Sequence, residues 1–235
     1  MGAIFKREMR AYFTSPIAYI FLAVFYVYTG SYFIRSCIDI GSSDMTYVFS
    51  GIFTLIMIML PLLTMRLMSE EKKQKTEQCL LTAPVSLMGI VMGKFLAALA
   101  VFMLGMLIYI PYVLVLFKLA GHIAWATVIG NFCALSLLGA SFISIGIFIS
   151  GLTENQIVAA IASFIVIIFL YMVDVFAGSV DIAWLKSVMV AIGFYNRFYE
   201  FTNGIINITS IVFFLSTIFM FNFLTVRVLE KRRWG

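Results

Sequence analysis

Charge is what this sequence has least of. Only 11% of its 235 residues are Asp, Glu, Lys or Arg, while 63% are hydrophobic; soluble domains carry about 25% charged residues. A water-soluble fold of this length could not hide so much apolar surface. The mean hydropathy of +1.07 makes the bilayer the solvent for most of the chain. No polar stretch is long enough to hold a second core, so residues 1–235 read as a single domain. Histidine occurs once, at His122, with no Cys or carboxylate spaced beside it, which excludes the usual zinc site. The cysteines are Cys37, Cys79 and Cys133; no two fall on one side of the topology derived below, so no disulfide is expected. Gly89, Gly93 and Lys94 approach a phosphate-loop pattern, but the spacer is one residue short and Phe95 stands where Ser or Thr must meet magnesium.

What the sequence does have is long apolar runs. A hydrocarbon core about 30 Å thick takes about 20 apolar residues of helix. Stretches 16–34, 47–65, 95–117, 124–150, 157–176 and 205–226 meet that length, and their continuity favours helices over alternating barrel strands. Lys and Arg set the orientation. Of the 16, 12 fall in the segments that share a side with the N-terminus: Lys6, Arg7, Arg10, Arg66, Lys72, Lys73, Lys75, Lys94, Arg227, Lys231, Arg232 and Arg233. Arg35, Lys118, Lys186 and Arg197 fall on the other side. Both termini are therefore expected in the cytoplasm, and the net charge of +5 is a topology signal rather than a nucleic-acid one.

The connecting segments carry further detail. In residues 2–15, Phe5, Met9, Tyr12 and Phe13 share one helical face and Lys6, Arg7 and Arg10 another, as in a basic amphipathic helix lying at the inner interface. The apolar run after it is too long for a cleaved signal, and Pro16 suits the first turn of a span. Pro61 and Pro111 are expected to kink their helices. Gly139, Ala140, Ser141, Ser144 and Gly146 form a small-residue set suited to close packing in lipid. Segment 66–85 reads as a short charged helix, capped by Ser69, paired through Glu71 and Lys75, ended by Pro84, with Glu70 and Glu71 facing water. Thr153 and Gln156 have capping-box spacing at the next inner turn. Segment 177–204 is expected to lie at, or dip into, the outer interface, with Trp184, Leu185, Val188, Met189 and Ile192 at helical spacing. Among the spans only Asp174 is ionisable, near the outer end of the fifth. Ion-coupled carriers keep such groups in midmembrane, so energy for uphill transport is expected to arrive from outside the membrane domain.

Several motifs point to a family. Ser69-Glu70-Glu71-Lys72, Lys75-Thr76-Glu77, Leu80-Leu81-Thr82-Ala83-Pro84-Val85 and Gly93-Lys94-Phe95-Leu96-Ala97 resemble the first cytoplasmic loop of type-2 ABC exporter permeases. Ile149-Ser150-Gly151-Leu152-Thr153-Glu154-Asn155-Gln156 resembles their next inner turn. Gly204-Ile205-Ile206-Asn207, Phe213-Phe214-Leu215-Ser216 and Arg232-Arg233-Trp234 are similar to the gliding-motility-associated bacterial branch. The resemblance implies an all-α membrane protein of the bacterial cytoplasmic membrane. It has six transmembrane helices, an interfacial N-terminal helix, a cytoplasmic coupling helix and a re-entrant outer segment before the last span. It implies a chain that binds no cofactor itself, with ATP and Mg held by a separate ATP-binding subunit. Other implied partners are a second permease copy or a related permease, the lipid bilayer and an outer accessory protein. Docking on the ATPase would fall to Glu70, Glu71, Lys72, Lys73, Thr76, Glu77, Thr153, Glu154 and Asn155. By the same resemblance, Phe49, Phe53, Met57 and Leu60 line a translocation path with Ile161, Phe164, Ile168 and Tyr171. An apolar lining of that kind suits an amphiphilic cargo. Alternatives from other classes are an intramembrane enzyme, for which catalytic groups are missing, and a membrane anchor or sensor.

The charge asymmetry generates a topology test. Cysteines introduced at Lys73 and Glu230 are expected to react with impermeant maleimide only after the cytoplasmic face is opened, and one at Asp181 to react in intact cells. Labelling of position 73 in intact cells overturns the orientation.

Overall fold

A computed structural model describes residues 1–41, 45–82, 85–120, 125–178, 182–205 and 207–234. Asp44, Ala83, Pro84, His122, Asp181 and Ile206, along with residue 124 of the expected fourth span, lie outside the described residues. All regular elements among the described residues are helical. They run α1 (Gly2–Thr14), α2 (Pro16–Phe33), a π-turn (Ile34–Ile38), α3 (Thr46–Thr64), α4 (Arg66–Lys73), α5 (Glu77–Thr82) and α6 (Leu87–Met106). There follow α7 (Tyr109–Ala120), α8 (Trp125–Leu152), α9 (Gln156–Ala177), α10 (Ala183–Ile192), α11 (Tyr195–Thr202) and α12 (Ile208–Trp234). Among the described residues six stretches are long and apolar enough to cross a membrane: Pro16–Ile38, Thr46–Lys73, Leu87–Leu119, Trp125–Leu152, Gln156–Ala177 and Ile208–Arg233.

Three of these differ clearly from the hydropathy reading, the last because it runs on to Arg233 instead of ending at 226. The second takes in Arg66–Lys73, so the charged segment begins with a short helix of its own, α4, that follows α3 directly across Met65. The third starts at Leu87, where Ser86 Oγ accepts from Gly89 N at 3.2 Å, and so takes Lys94 inside the helix. Pro111 behaves as expected. It has no N–H for the Leu107 carbonyl, and the helix breaks between α6 and α7 at Leu107–Ile108. Pro61 does not interrupt α3, which runs on to Thr64.

The bundle is built around α8, 72% of whose most apolar stretch is buried. It packs against α3, α6, α9, α11 and α12. The small residues explain how. A Cβ at Gly139 would fall 2.6 Å from Cζ of Phe102 on α6, and one at Gly146 would lie 2.9 Å from Cβ of Thr64 on α3. Ser141 Oγ donates to the Leu137 carbonyl within its own helix at 2.9 Å and to Phe214 O of α12 at 3.3 Å. Small side chains thus let three neighbours approach one central helix.

At the end of the bundle away from the termini, Asp174 organises the segment before the last span. Its Oδ2 accepts from Tyr195 N at 2.7 Å and its Oδ1 from Asn196 Nδ2 at 2.9 Å, which holds the first turn of α11 against α9. Gly193 permits this, because any Cβ there would overlap the Asp174 carboxylate. Phe198, Phe201 and Thr202 of α11 are buried, while α10 buries none of its residues.

The packing of α8 generates a stability test. Gly139→Val is expected to destabilise the detergent-solubilised protein by about 1–3 kcal/mol, the usual cost of overpacking. Phe102→Leu in the same chain should recover part of that loss. Denaturant unfolding of the four combinations measures it, and additive effects would show that the two side chains do not meet.

Candidate functional site

The expected docking residues lie at the end of the bundle that carries both termini. Its geometry begins with a broken helix. Ser150, at the end of α8, donates from Oγ to Met65 O at 2.7 Å and accepts from Met68 N at 3.2 Å and Ser69 N at 3.1 Å. Its hydroxyl is inserted where Met65 O and Ser69 N would otherwise pair, which separates α3 from α4 and fixes their angle. Ser69 is therefore inside α4, not its cap, and its own Oγ bonds back to Met65 O at 2.5 Å. Helix α4 ends by a left-handed residue at Lys75, φ 57, with Thr76 N bonded to Glu71 O at 3.0 Å. That is the work of a Schellman closure, and among the described residues Glu71 pairs with Arg7 and Lys94 instead of the expected Lys75.

Helix α1 closes the other side. Its buried stripe is Ile4, Glu8 and Tyr12, one turn apart each, while Phe5, Met9 and Phe13 are half-buried. The expected aromatic face does turn inward, with Lys6, Arg7 and Arg10 exposed, but the most buried line also contains a carboxylate. Gly93 of α6 admits Ile4, since a Cβ there would sit 2.9 Å from Ile4 Cγ2. Tyr12 donates to Leu63 O at 2.9 Å, and Arg66 lies over the Tyr12 ring at 4.9 Å while donating to Ser15 Oγ at 2.9 Å. Burial pushes the Tyr12 hydroxyl well above its ordinary pKa, so it remains a donor.

Between α1, α4 and α6 lies an ionic junction. Lys94 is 1% exposed. Its Nζ donates to Leu67 O at 2.5 Å and pairs with Glu71 Oε2 at 2.9 Å and Glu8 Oε1 at 3.1 Å. Three partners match the three protons of an ammonium. Arg7 closes the ring, 2.6 Å from Glu8 Oε1 and hydrogen-bonded to Glu71. Two cations and two carboxylates balance, which is the condition for burying an ammonium. Burial alone would raise the Glu8 pKa. Lys94 and then Arg7 outweigh it and hold the carboxyl below its ordinary 4.5. Burial likewise opposes the Arg7 charge, yet the hydrogen bond to Glu8 and the nearby Glu71 leave its pKa raised.

Further pairs stitch the remaining segments. Lys72 Nζ lies 3.3 Å from Glu154 Oε1, joining α4 to the turn before α9. Arg232 of α12 reaches Glu77 at 3.0 Å and the Gly151 carbonyl at 2.5 Å. Asn155, not Thr153, caps α9, accepting from Ile157 N at 2.9 Å, while Thr153 Oγ1 accepts from Asn155 N at 3.2 Å. The nine expected docking residues therefore divide. Lys73, Thr76, Glu154 and Asn155 are exposed; Glu70, Lys72, Glu77 and Thr153 are half-buried; Glu71, expected to face water, is 17% exposed and belongs to the junction.

The expected path residues come together, but inside the chain. Phe49, Phe53, Met57 and Leu60 are buried, and Phe53 meets Tyr171 of α9 at 5.6 Å and Phe198 of α11 at 5.3 Å between ring centres. Phe164, Ile168 and Tyr171 are half-buried and only Ile161 is open. Within this single chain the four α3 side chains are part of the buried core.

Hydropathy and spacing missed Glu8, Arg7, Lys94, Ser150 and Arg232 as structural partners. The one available signal was a lysine set in the apolar run 87–106, which demanded a counterion. Among the described residues no cluster of three or more His, Cys, Asp or Glu is placed to hold a metal. Comparison with family models finds a match to one described as ABC-2 family transporter protein over residues 3–233. No curated protein matches the chain.

The junction predicts two responses. Lys94→Met, which leaves Arg7 as the one cation beside two carboxylates, is expected to cost about 3–5 kcal/mol of stability, with partial recovery on adding Glu8→Gln. Because the Glu8 pKa is lowered by folding, its contribution is complete above about pH 4.5 and is lost as pH falls through the lower folded value. Hydrogen exchange of residues 2–14, corrected for intrinsic rates, should rise in that acid range in the parent. It should already be raised at neutral pH in Lys94→Met.

Proposed function

With a match spanning residues 3–233, the chain belongs to the ABC-2 transporter family as a multi-pass membrane permease subunit, and on that premise we propose that it serves an exporter. In this reading a separate subunit holds ATP and Mg, and the cargo is amphiphilic. The 12-to-4 distribution of basic residues supports cytoplasmic termini, hence a cytoplasmic position for α4 and the turn at 152–156 in a bacterial inner membrane. The C-terminal motifs favour the gliding-motility-associated branch.

One observation carries the coupling mechanism: α4 follows a span across a single bend and is bonded to the neighbouring helices on both sides. Arg66–Lys73 follows α3, Ser150 ties the junction to α8, and the Lys94 cluster ties it to α6 and α1. A force on the exposed Lys73–Thr76 edge therefore reaches three spans without first deforming a loop. ATP-driven closure of a docked partner would move α4 against α8 and so shift α3 relative to α9, the pair whose aromatic contacts hold Phe53. The path, closed by these side chains, opens when they part. On the far side, α10 with its exposed Trp184, Val188 and Ile192 and α11 with its buried Phe198 and Phe201 favour a re-entrant hairpin. A second permease copy and an outer accessory protein complete the proposed assembly.

The docking test uses side chains free of the internal network. Lys73→Glu with Lys75→Glu is expected to leave unfolding of the permease unchanged and to reduce copurification of the ATP-binding subunit roughly tenfold, as losses of interfacial charge do. Lys231→Glu, exposed on α12, is the matched control and should have little effect. Equal recovery of the ATP-binding subunit with both variants would overturn the docking assignment.

A further inference from the structure

Two cavities meet at the same corner of the bundle and differ in chemistry. One, about 520 Å³, is polar and is lined by Thr14, Ser15, Arg66 and Glu70 together with the junction residues. The other, about 190 Å³, is wholly apolar and lies between α2 and α3, lined by Ile17, Ile20, Leu62 and Met65 among others. Their linings are adjacent in sequence: Met65 of the cleft directly precedes Arg66 of the polar cavity, and on the other wall Ser15 is followed after Pro16 by Ile17 and then Ile20. The two linings are therefore neighbours along the chain on both walls, at the level where the first span begins at Pro16.

The charges of the polar cavity decide what fits it. Arg7, Glu8, Glu71 and Lys94 neutralise one another. That leaves Arg66 and Glu70. Among the described residues Arg66 meets no carboxylate: it donates to Ser15 Oγ and lies over Tyr12. Among the same residues Glu70 meets no cation and accepts only from Gln74 Nε2, at 3.3 Å. Although they stand at i and i+4, the spacing at which such residues pair on a helix, they do not pair with each other. A cation and an anion one turn apart, each facing the same cavity above an apolar cleft, are complementary to a zwitterion carrying a chain.

We propose that this corner binds one glycerophospholipid with an amino headgroup, from the leaflet on the side of the termini. The phosphate meets Arg66, the ammonium meets Glu70, and an acyl chain lies in the cleft along Ile20 and Leu62. A guanidinium presents a forked donor suited to a phosphate diester. Occupancy holds α4 to the membrane surface at a point independent of the Lys94 junction. The site does not depend on cargo, direction of transport or which face of the membrane is cytoplasmic.

Native mass spectrometry of the detergent-purified full chain tests it, with dioleoyl phosphatidylethanolamine, phosphatidylglycerol and phosphatidylcholine titrated separately after delipidation. The parent should retain one phosphatidylethanolamine in preference to the other two. Arg66→Gln should weaken that retention roughly tenfold, as expected for one charge-assisted contact, and Arg66→Lys should restore part of it. Glu70→Gln should erase the preference over phosphatidylglycerol, and Leu62→Trp, which fills the cleft, should weaken all three lipids while leaving the headgroup residues in place. Circular dichroism and gel filtration identify folded variants; if Arg66→Gln fails to fold, Glu70→Gln and Leu62→Trp decide. Equal retention of the three lipids by the parent, or parent-like retention by the folded Arg66 or Leu62 variants, overturns the proposal.

Discussion

The burial of the Lys94 ammonium is the constraint on which this end of the molecule depends. A lysine two turns into an apolar helix is tolerable only if every proton finds an acceptor and the charge is neutralised. Leu67 O, Glu71 and Glu8 meet those needs from two other helices. The demand of one side chain therefore sets the positions of α1 and α4 relative to α6. Arg7 balances the second carboxylate and leaves the group neutral. Glu8 is the one charged residue on the buried stripe of α1, so the docking of this helix is as strong as the ionic group and the contacts of Ile4 and Tyr12 beside it.

A second device gives α4 its mechanical character. A helix extended without interruption from α3 would swing freely from its end. The Ser150 hydroxyl enters the backbone ladder at Met65 and fixes the bend, at the point where Gly146 lets α8 lie against Thr64. Small residues, a single hydroxyl and one buried cation thus do different parts of one task. They turn a charged helix at the membrane edge into a lever with three attachments. The salt links of Arg232 to Glu77 and of Lys72 to Glu154 add the last span and the α9 turn to the same assembly. Charges at this end are mostly engaged with one another; of the expected docking residues Lys73, Thr76 and Asn155 are exposed outside any ion pair among the described residues, and Glu154 is exposed beside Lys72.

The number of spans, the charge asymmetry and the existence of α1 and α10 followed from local properties: run length, Lys and Arg placement, and helical period. The break at Pro111 and the packing of Gly139 and Gly146 were legible for the same reason, since a missing N–H or side chain acts wherever the helix goes. Partners were not legible. Glu71 stands four residues before Lys75, and such a pair in water is worth about 0.2–0.5 kcal/mol. Leaving Lys94 without its counterions would cost several kcal/mol, roughly 3–5 by the usual measure of a broken buried pair. The buried pair outweighs the solvated one, Glu71 turns inward, and Lys75 is released to close the helix. Hydropathy stopped the third span at Lys94 because a scale assigns a lysine the free energy of a solvated charge. Only the contacts with Glu8 and Glu71 change that value, and they come from residues 86 and 23 positions away. Likewise the aromatic face of α3 could be recognised as a contact surface, but whether it met lipid, a second copy or its own chain was decided by where α9 and α11 fold back. The sequence thus determined which segments are helices that cross a membrane, since burial in lipid is a property of a run of residues. The tertiary structure decided which charges are buried and which face is closed, because both are energies of pairs that lie far apart in the chain.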